Sequence, residues 1–171
     1  LAASAGAGRG VAGRQAAAAI AGAAPIGTRL PGGADGSATA GALATFAART
    51  PYRQRLTEAW INSPRTTLQS AGWSLLGSTL QLDPGLPEAQ AQAWVARIER
   101  DIHGAGNWLR RTMMYALIGL GAHSEALRTE AEAAIGRIGP VAFDPGRTAC
   151  EFPDPLPYLA RMWARKKPKK N

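Results

Sequence analysis

Two stretches of the chain, 42 residues apart, carry one pattern: 72-GWSLLG-77 lies on 114-MYALIG-119. In both, an aromatic residue is followed by a small residue, Leu, an aliphatic residue and Gly. A second register, shifted by 40, sets 95-VARI-98 on 135-IGRI-138, with Arg97 over Arg137. The order is first helix, second helix, first helix, second helix. A period of about 40–47 residues built from helix pairs is the signature of HEAT and armadillo arrays. One pair cannot bury its apolar face alone, so neighbours stack. The expected fold is all-α: a HEAT-like α-solenoid of antiparallel helix pairs behind a disordered N-terminal segment. Two clear repeats are few for such an array, and residues 41–62 stand as a degenerate earlier one.

The local pattern agrees. From about residue 41 apolar residues recur at helical spacing, and no stretch alternates as a strand would. Helices are expected near 52–62, 65–80, 87–102, 107–121, 124–137 and 156–166. The breaks fall at 62-NSP-64, 83-DPG-85, 104-GAG-106 and 119-GLGAHS-124, clusters that stop helices and make short turns. Short connections imply antiparallel neighbours.

Residues 1–40 differ. They contain no aromatic residue and one acid, Asp35, and Gly fills ten of the first 41 positions. Such a segment is read as low-complexity and disordered, because it has little apolar surface to bury. Its basic, acid-poor, Ala-rich character also fits an organelle transit segment. The chain starts at Leu1 rather than Met, as a fragment or a processed form would.

The organisation expected is therefore 1–40 low-complexity, 41–166 helical array and 167–171 basic tail. At 171 residues the chain has room for one domain with a real core. The net charge is +8, and residues 161–171 carry six Arg and Lys with no acid. Lys166, Lys167, Lys169 and Lys170 hold all four Lys of the chain. Such a run is either a solvated terminus or a tail that attracts nucleic-acid phosphates without reading sequence. One Cys rules out a disulfide framework and a multi-Cys zinc site. No apolar run approaches membrane-spanning length, so no membrane partner is expected and the location expected is cytoplasmic.

The segment 107–121 is the most informative. Trp108, Arg111 and Tyr115 are spaced i, i+3, i+7 and share one helix face. An Arg between two rings is held by cation–π contact and still presents donors. The preceding repeat offers Gln69 and Trp73, one turn apart, at the matching positions. Second helices line the concave side of many solenoids. These residues, with Arg110 beside them, then form an aromatic and basic stripe suited to DNA, Arg on phosphate and rings on sugar or base. The competing reading makes Trp73, Trp108 and Tyr115 repeat-packing residues, with Arg111 reaching to water. Trp60 and Trp94 read as core, and Trp163 as a staple for the last helix.

No catalytic constellation stands out, and neither a cofactor nor a metal site is expected. Glu99 with Asp101 and Glu130 with Glu132 are spaced i, i+2 and point to different sides of a helix. Cys150 has no His partner at motif spacing and reads as structural. His103 and His123 sit at helix ends as turn or cap residues.

The segment 138-IGPVAFDPGRTACEFPDPLPYL-159 resembles the closing segment of the bacterial DNA alkylation repair proteins, the AlkD-like HEAT-repeat family. Ile138, Gly139, Val141, Asp144, Gly146, Thr148, Cys150, Pro153, Asp154 and Tyr158 carry that pattern. The segments 107-NWLRRTMMYALIGLG-121 and 70-SAGWSLL-76 resemble two of the family's helices, and the likeness extends over 50–166. The resemblance implies a monomeric, nucleoid-associated protein on duplex DNA. It also implies glycosylase chemistry: release of N3- or N7-alkylated purines from a cleft of aromatic residues and a carboxylate, without flipping the base into a pocket. A carboxylate there would steady the cationic sugar as the base leaves. This chain departs from that pattern. The family's active helix is of W-D-x-x-D type, and 73-WSLLG-77 has Ser74 and Gly77 where the acids would fall. Tyr115 stands where a Trp is expected. The alternative is a non-catalytic HEAT-repeat module that binds DNA or a protein partner.

Overall fold

The turn-forming clusters cut the chain into helices close to where the sequence places them. The structure, a computed structural model, describes residues 37–80, 86–146 and 151–165. Among these residues there are seven α-helices and no strand: α1 (Ser37–Ala48), α2 (Arg53–Ile61), α3 (Thr66–Thr79), α4 (Glu88–Asp101), α5 (Asn107–Gly121), α6 (Glu125–Ile138) and α7 (Pro155–Arg165). A single 3-10 turn, Ile102–Gly104, extends α4. Ser124 caps α6 by accepting a bond from the Leu127 amide at 3.2 Å. Gly139, with φ +64°, ends it. No helix among the described residues is long and apolar enough to cross a membrane.

One helix is unexpected. Residues 37–40 belong to α1 rather than to a disordered segment, and α1 itself falls before the first helix read from the sequence. Its packing surface is methyl-sized: Ala40, Ala44 and Ala47 are buried against α3 with Trp60, Ala71 and Leu75. The remainder of the 1–40 reading, the Thr148 and Cys150 readings, Lys166 and the basic tail 167–171 lie outside the described residues.

The helices pack in two layers. In one, α1 lies on α3, α3 on α5 and α5 on α7. In the other, α4 lies on α6, and Arg97 joins α4 to the end of α2 by donating to the Ile61 carbonyl at 3.1 Å and to Asn62 Oδ1. Across the layers α2 packs on α3, and α4 and α6 pack on α5. Two pairs of positions related by the sequence registers make contacts between helices. Gly77 and Gly119, equivalent in the 42-residue register, meet where α3 crosses α5: a Cβ on Gly119 would lie 3.4 Å from Gly77 Cα. Arg137, equivalent to Arg97, likewise reaches back one helix and grips Glu99 with bonds of 2.6 and 2.8 Å.

Most buried apolar side chains of the described residues surround α5. Met113, Met114, Leu117, Ile118 and Leu120 are all enclosed, beside Trp94, Ile98, Leu127 and Leu159. Trp163 staples α7 to this core. Its indole donates to the Gly121 carbonyl at 3.0 Å, and Arg128 lies 5.4 Å from its ring.

The Glu99–Arg137 pair gives a pH prediction. The hydrogen bonds from Arg137 hold the Glu99 carboxyl below its ordinary range, against a smaller opposing effect of burial. A depressed carboxyl favours the folded state above its unfolded pKa, and this contribution vanishes as pH falls through the folded one. Because the pair is largely exposed the effect is small. Glu99→Gln should therefore lower stability slightly at pH 7, by an amount that shrinks as pH falls below the ordinary carboxylate range, read by urea melts across that range.

Candidate functional site

The stripe expected on α5 forms, with Arg111 at its centre. Residues i, i+3 and i+7 stack along one helix face. The Arg111 guanidinium carbon lies 5.9 Å from the Trp108 ring and 4.8 Å from the Tyr115 ring. Its Nε donates to the Glu151 carbonyl at 3.2 Å. Its two terminal nitrogens make no hydrogen bond and no ion pair among the described residues. The cation is fixed in direction, and four N–H donors remain to bind an anion.

The segment after α6 braces this row, which sequence reasoning missed. Phe143 packs edge-on against Trp108 at 5.3 Å, and Phe152 lies 5.6 Å from Phe143. Tyr115 meets Tyr158 of α7 edge-on at 5.9 Å, and Arg161 sits 5.5 Å from the Tyr158 ring. Asn107, the first residue of α5, is bonded both ways to the backbone of Asp144, donating to its carbonyl and accepting from its amide at 2.8 Å. The Asp144 carboxylate accepts from the Gly146 amide at 2.8 Å, where φ is +59° and favours glycine. Asp144 is thus a loop-forming residue. Phe143 and Phe152 lie within the closing motif, and the only signal for them was two aromatic residues in an otherwise Pro- and Gly-rich loop.

Two of the expected residues serve other purposes. Trp73 is only 2% exposed and packs edge-on against Trp94 at 5.6 Å, with Arg97 5.9 Å from its ring. Its ring is core, because α3 has neighbours in both layers. Arg110 donates to the carbonyls of Ala142 at 3.0 Å and His103 at 2.9 Å, tying the closing loop to the end of α4. One residue along a helix is a turn of about 100°, enough to take Arg110 off the Arg111 stripe. Gln69 is half-buried on α3. Lys166, Lys167, Lys169 and Lys170 lie outside the described residues.

Beside the stripe lies a cavity of about 300 Å³ between α3, α5 and α7. Trp73, Tyr115 and Tyr158 give it aromatic walls, Met162 adds an apolar one, and Arg111 supplies the cation. Ser74 and Gly77 also line it. No carboxylate lines the cavity among the described residues. Three of the four acids weighed as catalytic pairs are occupied elsewhere: Glu99 by Arg137, Asp101 by Arg97 and Arg100, Glu132 by Arg128. No group of three His, Cys, Asp or Glu among the described residues is placed to hold a metal.

Curated relatives share part of this framework. An uncharacterized protein of Listeria innocua is 28% identical over 102 residues, covering 60% of this chain and 43% of the relative. An uncharacterized protein of Listeria monocytogenes is 28% identical over 108 residues, covering 63% of this chain and 46% of the relative. The chain thus spans less than half the length of the curated relatives it matches. No family profile matches it, and no solved structure does.

Proposed function

We propose that this chain is a DNA-binding module of the DNA alkylation repair type, with helix pairs stacked as a HEAT-like solenoid. The observation that carries the reading is Arg111, held between Trp108 and Tyr115 with its terminal donors available beside an aromatic hollow. A guanidinium fixed between rings suits a backbone phosphate, with the aromatic row against sugar or base. The partner is duplex DNA, bound by a monomer in the cytoplasm at the nucleoid. The four Lys of the tail add nonspecific attraction.

Binding without excision is favoured over glycosylase activity, because Ser74 and Gly77 occupy the cavity wall where a carboxylate would have to stand. Neither side chain stabilises an oxocarbenium-like sugar. No release of N3- or N7-methylpurine from methylated duplex is expected in a product assay.

The test is duplex affinity across a salt series for the full chain with Lys166, Lys167, Lys169 and Lys170 replaced by alanine. Binding should persist, with log K falling steeply against log salt. Arg111→Glu in that background should weaken it by about tenfold and flatten the slope by about one charge. Affinity unchanged by Arg111→Glu would sink the stripe. A protein-binding HEAT module would then be the better reading.

A further inference from the structure

We infer that the corner joining α1 to α2 docks a short acidic and apolar segment of a partner protein. The partner's apolar side chains cover Phe46 and Tyr52, and its carboxylates meet Arg49 and Arg55. The inference concerns a different surface from the Arg111 stripe and stands independently of the DNA-binding reading.

Phe46 is 69% exposed and Tyr52 52%, and only Leu156 stands with them as a large apolar side chain so open to solvent among the described residues. One such residue needs no explanation, but two on either side of one turn form a patch. The patch is held firmly. Thr50 N–H donates to the Ala47 carbonyl at 3.0 Å, and Leu56 N–H to the Tyr52 carbonyl at 2.9 Å, which fixes the turn. Each ring shares a helix face with a half-buried leucine, Leu43 three residues before Phe46 and Leu56 four residues after Tyr52. Both leucines pack on the cluster beneath α1, so the rings stand on anchored helix ends.

The cations are as available as the rings. Arg49 and Arg55 are exposed, and their guanidinium groups make no hydrogen bond and no ion pair among the described residues. Arg53 adds a third positive charge, and no acid occurs from Gly36 to Thr57. The next acid, Glu58, already accepts from the Gln90 side chain.

Charge decides between occupants. Two copies meeting face to face would set these arginines against one another. Residues 1–36 carry three Arg against Asp35 alone, and residues 161–171 carry six Arg and Lys with no acid, so neither stretch is complementary. A duplex supplies anions but keeps its bases stacked, with little apolar surface to cover two rings. An acidic segment with large apolar residues supplies both kinds of contact.

The probe is a displayed library of random short peptides selected on the full chain. The recovered peptides should be net acidic and rich in Leu, Phe or Trp, with affinity that falls as salt rises. Phe46→Ala should weaken them about tenfold, the loss expected for one well-covered aromatic side chain. Arg49→Glu should weaken them as much, and Arg111→Glu should leave them unchanged. Phe46 and Arg49 are exposed, so both variants should melt with the parent chain.

Neutral or basic peptides, no recovered peptides, or equal binding to Phe46→Ala would overturn the inference. So would self-association of the full chain that Phe46→Ala abolishes, since a second copy would then be the occupant. Binding to phosphatidylglycerol vesicles lost in Phe46→Ala, with no peptide recovered, would make the corner a lipid contact instead. If Arg49→Glu weakens duplex binding as Arg111→Glu does, the corner belongs to the DNA surface and the peptide reading falls. Loss of duplex binding by the parent chain, with peptide binding intact, would sink the DNA-binding reading alone.

Discussion

Gly72→Ala should destabilise the fold by about 2–3 kcal/mol, as overpacking at an immovable contact does. A Cβ built on Gly72 would lie 2.7 Å from the Ile61 amide nitrogen, 2.8 Å from Ile61 Cγ1 and 3.1 Å from the Trp60 carbonyl carbon. The Ile61 side chain could turn aside, but the backbone atoms could not without parting α2 from α3. Ile61 and Trp60 are both buried, so such a shift also opens packing on either side. Helix propensity works the other way, since alanine in a helix interior gains about 1 kcal/mol over glycine. A net loss in a urea melt therefore isolates the contact. Gly136 is the control: it is helical too, with nothing within 4 Å of its Cβ, and Gly136→Ala should stabilise. Equal behaviour of the two variants would contradict the α2–α3 approach.

Leu117→Ala should cost about 3 kcal/mol through lost transfer energy and the cavity left behind. Leu117 is fully buried at the middle of α5, the helix that meets α3, α4, α6 and α7. Its neighbours come from separate helices and cannot collapse into the gap together, which puts the expected loss well above the small end. Calorimetric or denaturant midpoints check it. A loss below 1 kcal/mol would place α5 nearer the surface than the structure has it.

Six of the seven helices were legible because their breakers are local. Asn62, Pro64, Pro84, Gly104, Gly106 and Gly121 act within a turn of where they stand, and no tertiary context overrides them. The helix α1 was not legible for the opposite reason. Its contact surface is made of alanines, so it leaves almost no trace in a pattern that weighs large apolar residues. Only the spacing of Ala40, Ala44 and Ala47 marks one face. On the site, the i, i+3, i+7 spacing placed Trp108, Arg111 and Tyr115 together, because one helix decides it. Trp73 is buried, as the competing repeat-packing reading has it, and reaches only the wall of the cavity beside that stripe; Ala71, Gly72, Leu75 and Leu76 around it mark a helix packed on several sides. Arg110 beside Arg111 looked like a second cation of the same kind. Its partners, the carbonyls of His103 and Ala142, are set by a loop whose path the local sequence does not encode.

The buried side chains divide unequally along the array. The cluster beneath α1 is built mainly of alanine methyls, whereas the one around α5 holds leucine, isoleucine, methionine and tryptophan. Exposing a methyl forfeits far less than exposing a branched or aromatic side chain. Opening starts where the local packing is weakest. The amides of α1 should then exchange with solvent through a shallow opening that leaves α5 and α7 closed.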